Sequence, residues 1–262
     1  MASELVLFGI SSLPIVLIMI FVYYKDKNKE PIELLIKLFL GGIGATLLVM
    51  IISRLLSFVF PIFNGEYQTL NGFQLIIYAL ICVALVEEIS KWVMIYFISF
   101  KNKAFDELYD AIIYAVFVAL GFAFFENLIY VYSYGISTGI GRAVLSVPAH
   151  ACFGAFMGYY IGLAKISSIN KRKDLFRKYI ILSLIIPTLL HGIYDYFLFL
   201  ERKDLMAFLL IFIVVMYISV IRIINRTSIK AISKIKYKNK FCTKCGHEIS
   251  TNFCTICGNK NS

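Results

Sequence analysis

The chain has 262 residues, of which 60% are hydrophobic and 16% charged, and its mean hydropathy is +0.81. Soluble domains are about 45–50% apolar and about 25% charged, so this composition excludes a soluble globular fold. Its 23 Phe and 17 Tyr exclude a disordered chain, and six Cys are too few for a disulfide scaffold. What remains is a polytopic, all-α membrane protein.

A membrane-spanning helix needs about 20 mostly apolar residues. Seven stretches meet that requirement: Leu5 to Tyr24, Leu34 to Phe63, Phe73 to Phe100, Leu108 to Tyr134, Arg142 to Ile166, Phe176 to Leu200 and Leu205 to Ile224. The first begins MASELVLF, with an acidic residue, no preceding Lys or Arg and no small-residue cleavage site after it, so it reads as a mature helix rather than a secretory signal. The second is longer than a bilayer requires, and its GGIG cluster, Gly41 to Gly44, predicts close helix packing.

Basic residues concentrate in alternate loops. Lys25, Lys27 and Lys29 follow the first helix, Lys101 and Lys103 the third, and Lys165, Lys171, Arg172, Lys173, Arg177 and Lys178 the fifth, with more in the C-terminal tail. The opposite loops hold only Arg142, Arg202 and Lys203. By the positive-inside rule the N-terminus lies outside a bacterial-type cell membrane and the C-terminus in the cytosol. The net charge of +10 follows from this bias, and a polybasic run just after a membrane helix suits anionic lipid headgroups better than nucleic acid.

The chain divides into a membrane domain over 1–226, a basic linker over 227–240 and a cytosolic module over 241–262. In that module Cys242, Cys245, Cys254 and Cys257 form two CxxC knuckles, each followed by a glycine, Gly246 or Gly258. Four thiolates so spaced suit one tetrahedral zinc, and a reducing cytosol disfavours disulfides. The expected unit is a small structural zinc ribbon that leaves no open metal position and serves as a folded cap or docks a cytosolic protein. Cys82 and Cys152 fall within membrane segments and read as small apolar fillers.

Ionisable groups at helix centres cost about 2.5–3.5 kcal/mol each on insertion scales, so each needs a partner or a purpose. Lys37 and Asp110 lie near cytoplasmic ends, and Arg54 and Arg142 near outer ends where long side chains can snorkel; no function is assigned to them. The others fall on four consecutive helices: Glu87, Glu88 and Lys91 in VEEISKW, Glu126 in FAFFEN, His150 in PAHA, and His191 with Asp195 in HGIYD. A bundle can point all of these at one cavity. Residues four apart share a helix face, so Glu87 pairs with Lys91 and His191 with Asp195, while Phe122 walls the face of Glu126. Pro148 and Pro187 precede the two histidines and are expected to bend their helices. Carboxylates and imidazoles in a wet membrane cavity can activate water for hydrolysis, hold a metal, or pass protons in a transporter, and spacing leaves all three open.

At these residues the sequence resembles the PrsW family of bacterial intramembrane proteases, distant relatives of the CAAX prenyl endopeptidases and bacteriocin-processing membrane proteins. The likeness runs through residues 73 to 200 and rests on EEISK, FAFFE, PAHA followed by FGAFMGYYIG, and HGIYD, in that order. It implies an intramembrane endopeptidase that cuts single-span membrane proteins, anti-sigma factors among them, on the outer side. It makes Glu87 the general base with Glu88 as its partner or substitute, gives His150 and His191 the water or the oxyanion, and has Asp195 orient His191. Glu126 stands where the CAAX-type enzymes carry histidine, and Lys91 replaces a nearby arginine. Whether a catalytic metal takes part stays open. Helix geometry places Glu126, His150, His191 and Asp195 about 6–14 Å from the outer ends of their helices and Glu87 about 20 Å deep.

Overall fold

The computed structural model describes residues 2–64 and 67–227, together with two short strands in the tail. Its helices are α1 (Ala2–Lys25), α2 (Ile32–Ser57), α3 (Gly72–Ile77), α4 (Val86–Ser99), α5 (Leu108–Tyr134), α6 (Ile136–Val144), α7 (Ser146–Ile169), α8 (Lys173–Phe199) and α9 (Met206–Thr227). A π-helix, Tyr78–Leu85, joins α3 to α4 without a break, and α6 leads directly into α7. Among the described residues this makes seven stretches long and apolar enough to cross a membrane, the number expected from sequence. The ribbon cysteines Cys242, Cys245, Cys254 and Cys257 lie outside the described residues. The tail contributes Lys240–Phe241, paired antiparallel with Glu248–Ile249.

Two boundaries depart from expectation. α2 ends at Ser57 and not near Phe63, because Pro61 has no N–H to continue a helix and opens a short 3-10 turn, Pro61–Asn64. The stretch expected to start at Arg142 is two helices. α5 closes at Gly135, whose φ of 83° lies in the left-handed region open to glycine, and the chain turns there into α6. Arg142 therefore sits on a short helix of its own, ahead of the span. Pro148 falls in the first turn of α7, where the N–H it lacks would have no partner within that helix. Pro187 is inside α8, one turn before His191.

The bundle is organised around α5. Every residue from Leu108 to Ala123 is buried, as an all-round apolar helix requires, and α2, α4, α7 and α1 pack against it. Small residues set the spacing. A Cβ on Gly42 would strike the backbone of Val118 to Phe122, one on Gly121 would strike Phe39, and Gly158 lies against the backbone of Ala111 and Ile112. The GGIG cluster thus marks close packing at Gly42, while Gly44 meets only the tip of Met94, 3.8 Å from an added Cβ. Lipid receives the outward faces of the peripheral helices, through residues such as Leu13, Leu17, Met50, Ile51, Phe208 and Ile211.

One end of the bundle gathers the lysine-bearing segments 26–31, 100–107 and 170–172, and the far end gathers 58–64, 67–71 and 200–205. The lysine-rich end is laced to the start of α5. Asp110 is buried and caps the helix, its Oδ2 accepting from the N–H groups of Asp106 at 2.9 Å and Glu107 at 2.5 Å. The Tyr109 hydroxyl donates to the Val22 carbonyl at 2.9 Å, Asn28 donates to Glu107, and the Tyr114 hydroxyl donates to Glu30. Burial, reinforced by nearby Asp26 and only partly opposed by the Tyr114 hydrogen bond, pushes the Glu30 carboxyl up to about 7.

Two outcomes follow from this packing. Gly42→Ala is expected to destabilise by about 1–3 kcal/mol, because backbone cannot yield as a side chain does, whereas Gly44→Ala is expected to be neutral or slightly stabilising; thermal unfolding in detergent compares them. A carboxyl that keeps its proton longer in the folded than in the unfolded chain loses stability as pH rises from about 4.3, its unfolded value, to about 7. Unfolding temperature is therefore expected to fall between pH 5 and pH 8, and Glu30→Gln to flatten that slope.

Candidate active site

α3 starts where it does because Asn71 caps it: the Asn71 side chain accepts from the Gln74 N–H at 3.0 Å and the Gln74 side chain accepts from the Asn71 N–H at 3.1 Å. With the start fixed at Gly72, Glu87 lies well inside its span and not near its end. The wider π turns of Tyr78–Leu85 deliver Glu87 and Glu88 into the first turn of α4, and Gly192 on α8 packs against Leu80 there.

Lys91 is 1% exposed and sits at the centre of the polar cluster. Its Nζ lies 2.8 Å from Glu88 Oε1, 3.2 Å from Glu87 Oε2 and 3.2 Å from His150 Nδ1, 4.1 Å above the Phe122 ring. An ammonium has three hydrogens and no acceptor, so all three are engaged and His150 Nδ1 must accept. The His150 hydrogen is then on Nε2, which donates to Glu126 Oε2 at 3.0 Å. That same Glu126 oxygen accepts from Arg142 Nη2 at 2.6 Å.

Glu87 and Glu88 separate by exposure. Glu88 is fully buried, holding Lys91 and, through Oε1 at 2.9 Å, His191 Nδ1. Glu87 lines a cavity of about 590 Å³ together with Glu126, Arg142, His150, His191 and Asp195, and Tyr67 and Phe199 line it toward the far end. His191 stacks on Phe153 with ring centroids 4.6 Å apart, and its Nε2 lies 3.3 Å from Asp195 Oδ2 and 3.9 Å from Glu87 Oε2. Glu88 makes the hydrogen bond that orients His191, while Asp195 stands at ion-pair distance without forming one.

The structure thus brings all six sequence-predicted residues together, from α4, α5, α7 and α8. It corrects the reading of Arg142, which turns inward to Glu126 instead of snorkelling, and it adds Asn127, a buried neighbour of Arg142 that the sequence reading passed over. The signal for Arg142 was a lone cation in an otherwise uncharged segment following the FAFFEN helix. Donor atoms of Glu87, Glu88, His150 and His191 lie within 4.8 Å of one another, and two carboxylates with two imidazoles suit a zinc-like ion, which would take over three side chains that Lys91 now engages.

Seven spans enclosing a carboxylate, lysine and histidine cluster that opens into a polar cavity define a multi-pass membrane protein with an enzyme-like site within the bilayer. The family described as "PrsW family intramembrane metalloprotease" matches residues 30–223, and the chain belongs to it. It is 36% identical over 220 residues to Protease PrsW of Clostridioides difficile (strain 630), covering 82% of this chain and 88% of that one. It is 38% identical over 185 residues to Protease PrsW of Oceanobacillus iheyensis, covering 71% and 79%. Against Protease PrsW of Bacillus subtilis (strain 168) it is 32% identical over 186 residues, covering 71% and 79%. No solved structure matches. The protein is a peptidase, which decides against the transporter that spacing alone left open.

The sealed position of Glu88 carries a stability consequence. Glu88→Ala leaves the Lys91 ammonium and His191 short of their buried partner and is expected to cost about 3–5 kcal/mol, against a much smaller loss for Glu87→Ala at the cavity wall. Thermal unfolding of the two purified variants measures the difference.

Proposed function

We propose that the protein is an intramembrane endopeptidase that hydrolyses a peptide bond in single-span membrane proteins, with Glu87 as the base that activates water. The observation that carries this is the division of the paired glutamates: Glu87 faces the cavity and Glu88 is sealed behind it. Lys91 holds Glu87 by one oxygen, Oε2. As water attacks the scissile carbonyl, Glu87 takes its proton; as the carbon–nitrogen bond breaks, the proton passes to the leaving amine. His191 acts as an imidazolium, donating Nδ1–H to Glu88 and keeping Nε2–H between Glu87 and Asp195 to stabilise the oxyanion. The grouping of donors favours one second reading, a metal-dependent peptidase in which Glu87, Glu88, His150 and His191 hold a divalent ion. Such an ion would supply Lewis-acid polarisation of water and carbonyl.

The basic loops support a topology with the lysine-rich end and the C-terminus in the cytosol, so that the cavity opens toward the outer face. Outer-face cleavage of an anti-sigma factor, as the first cut in a regulated cascade, fits that direction. For the tail, the pairing of Lys240–Phe241 with Glu248–Ile249 brackets the first CxxC, consistent with a zinc ribbon at Cys242, Cys245, Cys254 and Cys257 that docks a cytosolic protein.

Purified protein in lipid, offered a panel of single-span substrates, tests the reading. Wild type is expected to cleave, and Glu87→Gln to lose at least about 100-fold in rate. Retained activity after treatment with a strong chelator supports the glutamate mechanism. Chelator loss that persists in a variant with the four tail cysteines changed to serine supports the metal. Near-normal turnover by Glu87→Gln would remove Glu87 as the base.

A further inference from the structure

Arg142 is 14% exposed at its side chain and reaches Glu126 from a helix that contributes no other charged residue to the site. Its guanidinium is held at two points and on one face. Nη2 donates to Glu126 Oε2 at 2.6 Å, Nε donates to Asn127 Oδ1 at 2.9 Å, and the Tyr130 ring lies 4.2 Å from the guanidinium carbon. Asn127 is fully buried, and its amide orientation is set from both sides, because Oδ1 must accept from Arg142 while Nδ2 donates to the Ser11 carbonyl of α1 at 3.2 Å. A continuous line of hydrogen bonds therefore runs from the backbone of α1 through Asn127, Arg142, Glu126, His150 and Lys91 to Glu87.

α6 is placed to deliver this arginine. Gly139 packs under Ile10 and Val131, where a Cβ would come within 3.0 Å of both side chains, so α6 is wedged against α1 and α5 and Arg142 projects from its last turn into the cavity wall. Two interactions of Glu126 converge on one oxygen, Oε2, and hold it against His150 Nε2. With Glu126 so held, the His150 hydrogen stays on Nε2 and Nδ1 stays an acceptor facing Lys91.

We propose that Arg142, seated by Asn127, is a positioning residue for the peptidase reaction: it locks Glu126 so that His150 keeps the tautomer on which the Lys91 and Glu87 arrangement depends. In the metal-dependent reading the same tautomer would leave Nδ1 to hold the ion in place of the Lys91 contact, with Nε2 still donating to Glu126. The kinetic part of the proposal rests on the proposed peptidase mechanism, and the tautomer part stands without it.

The test uses full-length protein in lipid with three arginine variants and two readouts. Arg142→Ala is expected to lower kcat by about 10–100-fold, the range typical of partners that orient an active-site imidazole, with KM changed less than about threefold. Millimolar guanidinium ion is expected to restore several-fold of the lost rate, and Arg142→Lys to keep only part of it because an ammonium cannot span Glu126 and Asn127 together. Arg54→Ala, at an exposed arginine outside the site, is expected to stay near wild type. The second readout is the nitrogen NMR spectrum of histidine-labelled protein, tractable because the chain has three histidines. Wild type is expected to show His150 with hydrogen on Nε2 alone, and Arg142→Ala to lose that single pattern. Unchanged kcat in Arg142→Ala, or a rate loss with no guanidinium rescue and an unaltered His150 spectrum, would overturn the proposal. If Arg142→Ala does not fold, Arg142→Lys and Asn127→Ala carry the same two readouts. A wild type that cleaves nothing yet shows the expected spectra would count against the peptidase mechanism and the kinetic part, and leave the tautomer part supported.

Discussion

An ammonium group buried in a membrane protein is tolerable only when each of its hydrogens has an acceptor, and the site is arranged to satisfy that condition at Lys91. Its three acceptors come from α4 and α7, and the Phe122 ring of α5 lies beneath it. Because Lys91 can only donate, it dictates what each neighbour must offer: an acceptor oxygen on Glu87 and on Glu88, and a lone pair on His150. The tautomer of His150, the role of Glu126 and the division of labour between the paired glutamates all follow from that one cation. Removal of a partner from such a cluster is costlier than removal of an exposed charge, since the remaining charge has no water to turn to.

Holding such a cluster to hydrogen-bond tolerance requires helices that cannot shift relative to one another. Membrane helices have little hydrophobic force between them, so close backbone approach has to supply the rigidity. Gly42 against Val118, Gly121 against Phe39 and Gly158 against Ala111 provide it along α5. The π-helix ahead of α4 has the complementary task, since its wider turns alter the phase at which Glu87 and Glu88 emerge and bring them opposite His191.

Much of this was legible in the sequence, because the physics that makes it legible is harsh. Charges inside a membrane are costly enough that Glu87, Glu88, Lys91, Glu126, His150, His191 and Asp195 announced themselves, and apolar length alone located seven spans. What escaped were features that depend on direction rather than composition. Arg142 near a span's end looks the same whether it reaches for water or for Glu126, and only the break at Gly135, which gives it a separate short helix, turns it inward. The i, i+4 spacing of His191 and Asp195 suggested an orienting pair, but the hydrogen bond comes from Glu88, more than a hundred residues away in the chain, where no local pattern could show it. Asp110 was placed correctly near a helix end, yet its capping role needed the loop's backbone to be seen.

The carbonyl of Ser11 has a consequence for how the molecule is divided. α1 is apolar, carries much of its surface toward lipid and lies ahead of the region that matches the family, which starts at residue 30. By those measures it is a plain anchor. Yet it accepts the hydrogen bond that seats Asn127, wedges Gly139 beneath Ile10, and sets Phe8 edge-on against Phe124, two residues from Glu126. The first helix is therefore the outermost buttress of the reaction centre, and the smallest piece of this chain that can keep its chemistry in order begins before Ser11.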